Sequence, residues 1–280
     1  MNEIILPQNI DIGFENVDMI LNQVEDAIND GHQKNVLINA SNIKIIDSNM
    51  LVFLNILIDK LDQRGKNIQI SDMDFLSPDS SQIKFERIKS SDINQLDRYL
   101  DENFIVKFGR GQISKNTYER LIQSFKDSVF EFADNTSTHS NSNILYLCGD
   151  ENPVGNISMT IADVGISIPK RVQQSSKNTD QMIFDVDYIE WAIRQGNSTK
   201  MIPESGMGLS EIQSAMKSLG KMIIISNKGY WFQDTDGSII KKTLSASFPG
   251  TLLYMNIELN EYGNSSKHFK LKEPSYQFAF

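Results

Sequence analysis

Glu131 and Asn135 stand four residues apart, a carboxylate followed by a carboxamide. On an α-helix that spacing projects both side chains from one flank. The acid can then orient a water or a hydroxyl while the amide oxygen ligates a metal ion. Ser124, Ser128 and His139 extend the same stripe, which lies roughly a quarter to a third of a turn from the apolar positions Phe125 and Val129. Such a stripe is either a solvated face or the polar wall of a binding site. A second candidate, Asp163, closes the alternation Ile157, Met159, Ile161 and leads into Val164-Gly165. It is either a turn acid or a buried acceptor for an exocyclic amine, with Gly165 leaving room for a flat ring. Gly206-Met207-Gly208-Leu209 comes directly before a helical pattern, where glycines admit an anion to the free N–H groups of a helix start. Last, Phe248-Pro249-Gly250-Thr251 leads into the final apolar run.

The elements that must carry these residues follow from periodicity. Tyr118, Leu121, Ile122, Phe125, Val129 and Phe132 predict a long helix, and Leu209, Ile212, Met216 and Leu219 another, stopped by Gly220. Strands are expected over Asn143–Cys148, Ile157–Ala162, Met222–Ser226, Trp231–Thr235, Ser238–Leu244 and Thr251–Leu259. Asn227-Lys228-Gly229 and Asp236-Gly237 read as turns between the later ones. Lys170 to Ser205 has no strand pattern and fits a mobile lid. Upstream, a different unit spans residues 1–73. Apolar runs at Glu3–Leu6, Val36–Ala40 and Asn67–Ser71 alternate with helices marked by Val17, Ile20, Leu21, Val24 and by Leu51, Leu54, Ile58, Leu61. Residues 74–103, rich in serine and mixed charge, read as a linker with one or two short helices. Residues 104–259 form the second domain and 260–280 a polar tail.

Composition narrows the partners. With 280 residues, 40% hydrophobic and 22% charged, the chain has material for real cores. A formal charge of -9 argues against a nucleic-acid partner, which needs a basic face. It does not argue against phosphate held by backbone amides and a metal ion. One cysteine, Cys148, excludes an internal disulfide. The longest apolar stretch, Met50 to Ile58, is too short for a bilayer span, and the N-terminus lacks the basic region of a signal peptide. The expectation is a cytoplasmic protein with no membrane partner, as a single chain or a homodimer.

Taken in order, the four motifs resemble those of the GHKL ATPases, the group of gyrase, the MutL repair proteins and the sensor histidine kinases. The resemblance covers roughly half the chain. It implies a Bergerat-type α+β sandwich, a mixed sheet covered by helices, that binds ATP with Mg²⁺. By position, Asn135 would coordinate the metal and Glu131 would be the general base. Asp163 would bind the adenine amine, with Gly165 beneath the ring. Gly206, Met207, Gly208 and Leu209 would close on the phosphates, and Thr251 would support the adenine end. Ser167 stands where the family commonly has a second glycine. Lys200 is available to neutralise a phosphate, and no lysine of a following transducer domain is evident.

The first unit resembles the STAS domain of anti-sigma-factor antagonists, through Val36-Leu37-Ile38-Asn39-Ala40, then Ile45-Ile46-Asp47-Ser48-Asn49, then a helix. That implies a small α/β regulatory or docking module with a protein partner. In regulatory members a serine of this turn accepts phosphate. Here Asn49 occupies the second serine position, and Ser48 is expected to cap the following helix. Together the resemblances imply a signalling ATPase regulated by its STAS-like module. A serine/threonine kinase of the anti-sigma type and a non-hydrolysing nucleotide switch are the competing readings. None of the three histidines lies on the paired helices that a sensor histidine kinase needs.

Overall fold

The computed structural model describes residues 1–71, 82–106, 115–140, 142–151, 156–175, 182–194, 196–197 and 208–258. The chain begins with three parallel strands, β1 (Asn2–Ile5), β3 (Asn35–Asn39) and β5 (Asn67–Ser71), ordered β1-β3-β5. Long connections make them parallel, because each crossover carries a helix: α1 (Phe14–Asn29), then α2 (Met50–Gln63). A two-residue pair, β2 (Asn9–Ile10) with β4 (Ile45–Ile46), braces the loops.

The rest is built on a five-stranded sheet ordered β6-β7-β8-β10-β9. Its strands are β6 (Gln82–Lys89), β7 (Ile144–Glu151), β8 (Ile157–Asp163), β9 (Gly220–Gln233) and β10 (Ile239–Ile257). The expected mixed sheet is instead antiparallel at every pairing. β8 and β9 do run the same way, but β10 is inserted between them. The helices are α3 (Ile93–Tyr99), which continues as a π-helical turn over Leu100–Ile105, α4 (Lys115–Asn135), α5 (Ile168–Gln174), α6 (Asp185–Ala192) and α7 (Gly208–Leu219). α3 is started by Asp92, whose carboxylate accepts the Gln95 N–H at 2.9 Å.

Three expectations need correction. The segment read as a linker contains β6, an edge strand of the sheet, where Ile83 and Ile88 are buried; the serines and charges around it disguised a strand with one wet edge. Asn227-Lys228-Gly229 is no turn: β9 runs through it, with Asn227 at φ 52° and a register shift against β10. This is a bulge inside one long strand pair. Finally, the region read as a lid contains α6, whose Val186 and Ile189 are buried in the core and whose Asp185 accepts from Asn227 Nδ2 at 2.7 Å and from the Lys228 N–H at 2.9 Å. That helix is moored to β9. Residues 176–181, 195 and 198–205 of the expected lid, like 206–207 and 259–280, lie outside the described residues.

The two sheets share a core. Through Leu57, α2 is apolar all round except for Asn55, and the helix buries Met50, Leu51, Val52, Phe53, Leu54, Ile56, Leu57 and Leu61, the pattern of a helix covered on most sides. It lies between the parallel sheet and the outer face of the five-stranded sheet, against β5 on one side and β7, β8 and β10 on the other. Cys148, Ala162, Ile225, Leu252 and Phe248 complete that core. Phe53 stacks on Phe248 at 5.8 Å between ring centroids, and Phe14 meets Tyr230 edge-on at 5.4 Å. The opposite face of the sheet, with Leu147, Met159, Ile161, Ile224 and Leu253, packs against the later helices. The result is four layers, β/α/β/α. No helix among the described residues is long and apolar enough to cross a membrane.

Candidate functional site

α4 buries Phe125, Val129, Phe132 and Ala133 against the sheet. That register leaves Glu131 and Asn135 half-buried on its flank, as the spacing predicts. Asn135 Nδ2 donates to Glu131 Oε1 at 3.3 Å, so the amide is held with its oxygen directed elsewhere. Ser128, on the same stripe, is buried. The side chains of Ser124 and His139 lie outside the described residues. Directly after Asn135 the helix widens into a π-helical turn, Thr136–Ser140, a distortion frequent at functional sites.

That turn brings α4 to the end of β8. Thr136 is buried, and its hydroxyl lies 2.9 Å from the Phe132 carbonyl and 3.3 Å from Asp163 Oδ2. With one proton to give, the hydroxyl serves one of the two at a time. Asp163 is only 5% exposed, and its Oδ1 has no hydrogen-bond partner. Burial pushes its pKa from 3.8 up to about 7, with the Thr136 hydroxyl and the Thr251 amide pulling partly back. A buried carboxylate oxygen without a donor is costly unless something supplies one.

The late glycine explains itself on the other side of Asp163. Gly250 has φ +142°, and a Cβ there would stand 2.1 Å from the Asp163 carbonyl oxygen, so no larger residue fits beside this strand end. Thr251 pairs with Asp163 in the β8–β10 register. It is buried, and its Oγ1 lies 2.9 Å from Ser226 Oγ. Ser226 also donates to the Gly250 carbonyl at 3.1 Å and accepts the Ile168 N–H at 2.9 Å. One hydroxyl therefore ties β9, β10 and the start of α5 together around Asp163. Sequence reading missed Thr136 and Ser226. The signal for Ser226 was a serine ending the run Ile223-Ile224-Ile225 at a strand expected to be buried.

Gly165 is exposed on the turn after β8. Gly208 opens α7, which packs beside α4, and Leu209 is partly buried against the same core. Gly206, Met207 and Lys200 lie outside the described residues. The structure thus groups Asp163 and Thr251 directly, joins them to the Glu131–Asn135 helix through Thr136, and sets the helix opened by Gly208 alongside. Among the described residues, no group of three or more His, Cys, Asp or Glu side chains could hold a metal ion.

A second polar cluster sits on the opposite face of the sheet. Ser48 is 1% exposed and donates to Asp150 Oδ2 at 3.2 Å, while the Cys148 thiol donates to its carbonyl at 3.2 Å. It does not cap α2. The residue at the cap position is Asn49, and its side chain makes no cap bond either; instead Asn49 Nδ2 donates to Ser158 Oγ at 2.6 Å and its Oδ1 accepts from Thr160 Oγ1 at 3.0 Å. The docked sheet competes successfully for these side chains. Burial raises the pKa of Asp47, against the hydrogen bonds from Asn49, with the charges of Asp150 and Asp11 adding to the rise.

No protein-family model matches the chain, and no curated protein matches it. Among solved structures it is similar to the histidine kinase domain from the Erythrobacter litoralis EL346 blue-light activated histidine kinase. The identity is 15%, 77% of this chain and 76% of that chain are covered, and the TM-score is 0.31.

Proposed function

We propose that this chain binds Mg²⁺–ATP where α4, the end of β8 and α7 meet, and hydrolyses it slowly in a signalling role set by the N-terminal unit. One observation supports the reading above the others: Asp163 is only 5% exposed and keeps a carboxylate oxygen without a donor. The exocyclic amine of adenine is such a donor. The glycine required beside it, Gly250, and the hydroxyls of Thr136, Ser226 and Thr251 form a rigid polar floor at the same point.

Asn135 would supply the protein oxygen to a magnesium ion bound with the nucleotide. Mg²⁺ takes one or two protein oxygens and completes its shell with phosphate and water, and the Asn135 amide oxygen is turned away from Glu131. When bound, the ion neutralises charge on the phosphates. Glu131, on the same flank, orients the attacking water. As the water oxygen bonds the γ-phosphorus and the bond to the β–γ bridging oxygen breaks, the Glu131 carboxylate accepts the proton and ADP leaves. Phosphate donors at the start of α7 would be backbone N–H groups.

Ser48 is an unsuitable acceptor in this arrangement, being covered on the far face of the sheet. A hydroxyl acceptor, if used in place of water, is therefore not Ser48. A thermal-shift titration with ATP, ADP and GTP, each with and without Mg²⁺, tests the reading. Stabilisation by ATP that needs Mg²⁺ and exceeds that by GTP is expected. No nucleotide effect overturns it. With γ-labelled ATP, free phosphate supports the ATPase, whereas label retained on a partner protein replaces it with the kinase.

A further inference from the structure

Ser167, like Asp163, carries a buried side-chain oxygen that lacks a partner. It follows Asp163 by four residues and is 2% exposed, and its Oγ makes no hydrogen bond. It holds the cap position of α5 with extended backbone, φ -66° and ψ 158°, yet its side chain makes no cap bond. A serine there ordinarily spends its oxygen on the first free amides. Here the Ile168 N–H is already taken by Ser226 Oγ, Pro169 has no N–H to give, and the Ser167 side chain makes no bond to the remaining cap donor, the Lys170 N–H. Nor does the hydroxyl bond the vacant oxygen of Asp163, since both atoms lack partners. Ser226 ties the two segments that carry them: it accepts the Ile168 N–H next to Ser167 and lies 2.9 Å from the hydroxyl of Thr251, the residue paired with Asp163.

We infer that Ser167 is a base-recognition residue, its hydroxyl donating to the adenine ring nitrogen beside the amine that Asp163 accepts. This rests on the nucleotide reading above. The two vacant atoms then form a matched pair, an acceptor at Asp163 Oδ1 and a donor at Ser167 Oγ. Adenine offers the complement, an amine hydrogen flanked by the ring nitrogens N1 and N7. A guanine base places a carbonyl where the amine would be, opposite the Asp163 carboxylate.

The experiment compares Ser167→Ala with the wild type by isothermal titration with ATP, 1-deaza-ATP and 7-deaza-ATP, each with Mg²⁺. Loss of one neutral hydrogen bond should weaken ATP about three- to tenfold. The same substitution should leave unchanged the affinity for whichever deaza analogue lacks the contacted nitrogen. Urea unfolding of the unliganded variant should show no loss of stability, since the hydroxyl it removes has no partner in the fold. Equal weakening toward all three nucleotides, or no weakening toward ATP, overturns the inference while leaving ATP binding intact. A wild-type protein that binds none of them overturns the nucleotide reading as well.

Discussion

Asn49 and Thr160 meet across the junction of the two sheets, the Thr160 hydroxyl donating to the Asn49 amide oxygen at 3.0 Å with both residues fully buried. The same amide donates to Ser158, and Asp47 accepts from both the Asn49 backbone and side chain at 2.9 and 2.7 Å. Both polar atoms of the Asn49 side chain, at the tip of α2, thus have specific partners inside an otherwise apolar layer. Asn49→Ala should destabilise the whole chain by about 1–3 kcal/mol, because it strands buried hydroxyls. Asn49→Leu combined with Thr160→Val should recover part of that loss, since both partners are then removed together. Urea midpoints check this. A double variant no more stable than Asn49→Ala would contradict it.

Because α2 fills the outer face of the five-stranded sheet, the C-terminal part should not stand alone. A fragment of residues 82–258 bares Cys148, Ala162, Ile225, Leu252 and Phe248 to water, an apolar patch of the kind that drives association. The expected outcome is aggregation or an expanded state by size-exclusion chromatography with light scattering. A monodisperse fragment with native circular dichroism would show that the shared core is dispensable.

Periodicity made the helices legible, and strand alternation found β7 and β8, because each has one face in a core whatever its partner. The Glu131–Asn135 flank was readable for the same reason: Phe125 and Val129 fix its rotation. What stayed hidden depended on contacts distant in the chain. The apolar run Met50–Leu57, broken only by Asn55, was visible, but only the sheet above it shows why the first half of α2 is covered on most sides. Local rules predicted Ser48 as a cap, and Asp150, about a hundred residues on, claims its hydroxyl. β6 is hard to see in sequence because an edge strand buries few side chains, and the bulge at Asn227 uses the same residues as a turn.

The division of labour on α4 gives a paired prediction. Asn135→Ala should abolish the Mg²⁺-dependent part of ATP binding, seen by calorimetry with and without the ion. Glu131→Gln should keep that binding and lower turnover by about 10²–10⁴-fold, the usual worth of a positioned base. Glu131 accepts from Asn135 at 3.3 Å, so the glutamine preserves shape while removing the base. Wild-type Mg²⁺ dependence in Asn135→Ala, or unchanged phosphate release in Glu131→Gln, would separate these residues from the chemistry. Lost turnover with unchanged biological output would favour a nucleotide switch.

The pKa of Asp163 makes two processes depend on pH with opposite slopes. Its folded value, about 7, lies above its ordinary 3.8, so between those values the folded chain holds a proton that the unfolded chain has released. Stability from this group is complete below pH 3.8, falls as pH rises through about 7 and is level above that. Nucleotide affinity should move the other way, because an ionised carboxylate accepts an amine hydrogen bond more strongly than a neutral acid. ATP should therefore bind more tightly at pH 8 than at pH 6. Asp163→Asn should weaken binding by about 1–3 kcal/mol at pH 8 and remove this group's share of both slopes. Phosphate titration of the nucleotide is common to both proteins and cancels in their difference. Affinity curves for wild type and Asp163→Asn that run parallel from pH 6 to 8, or equal wild-type affinity for ATP and GTP, would take Asp163 out of base recognition.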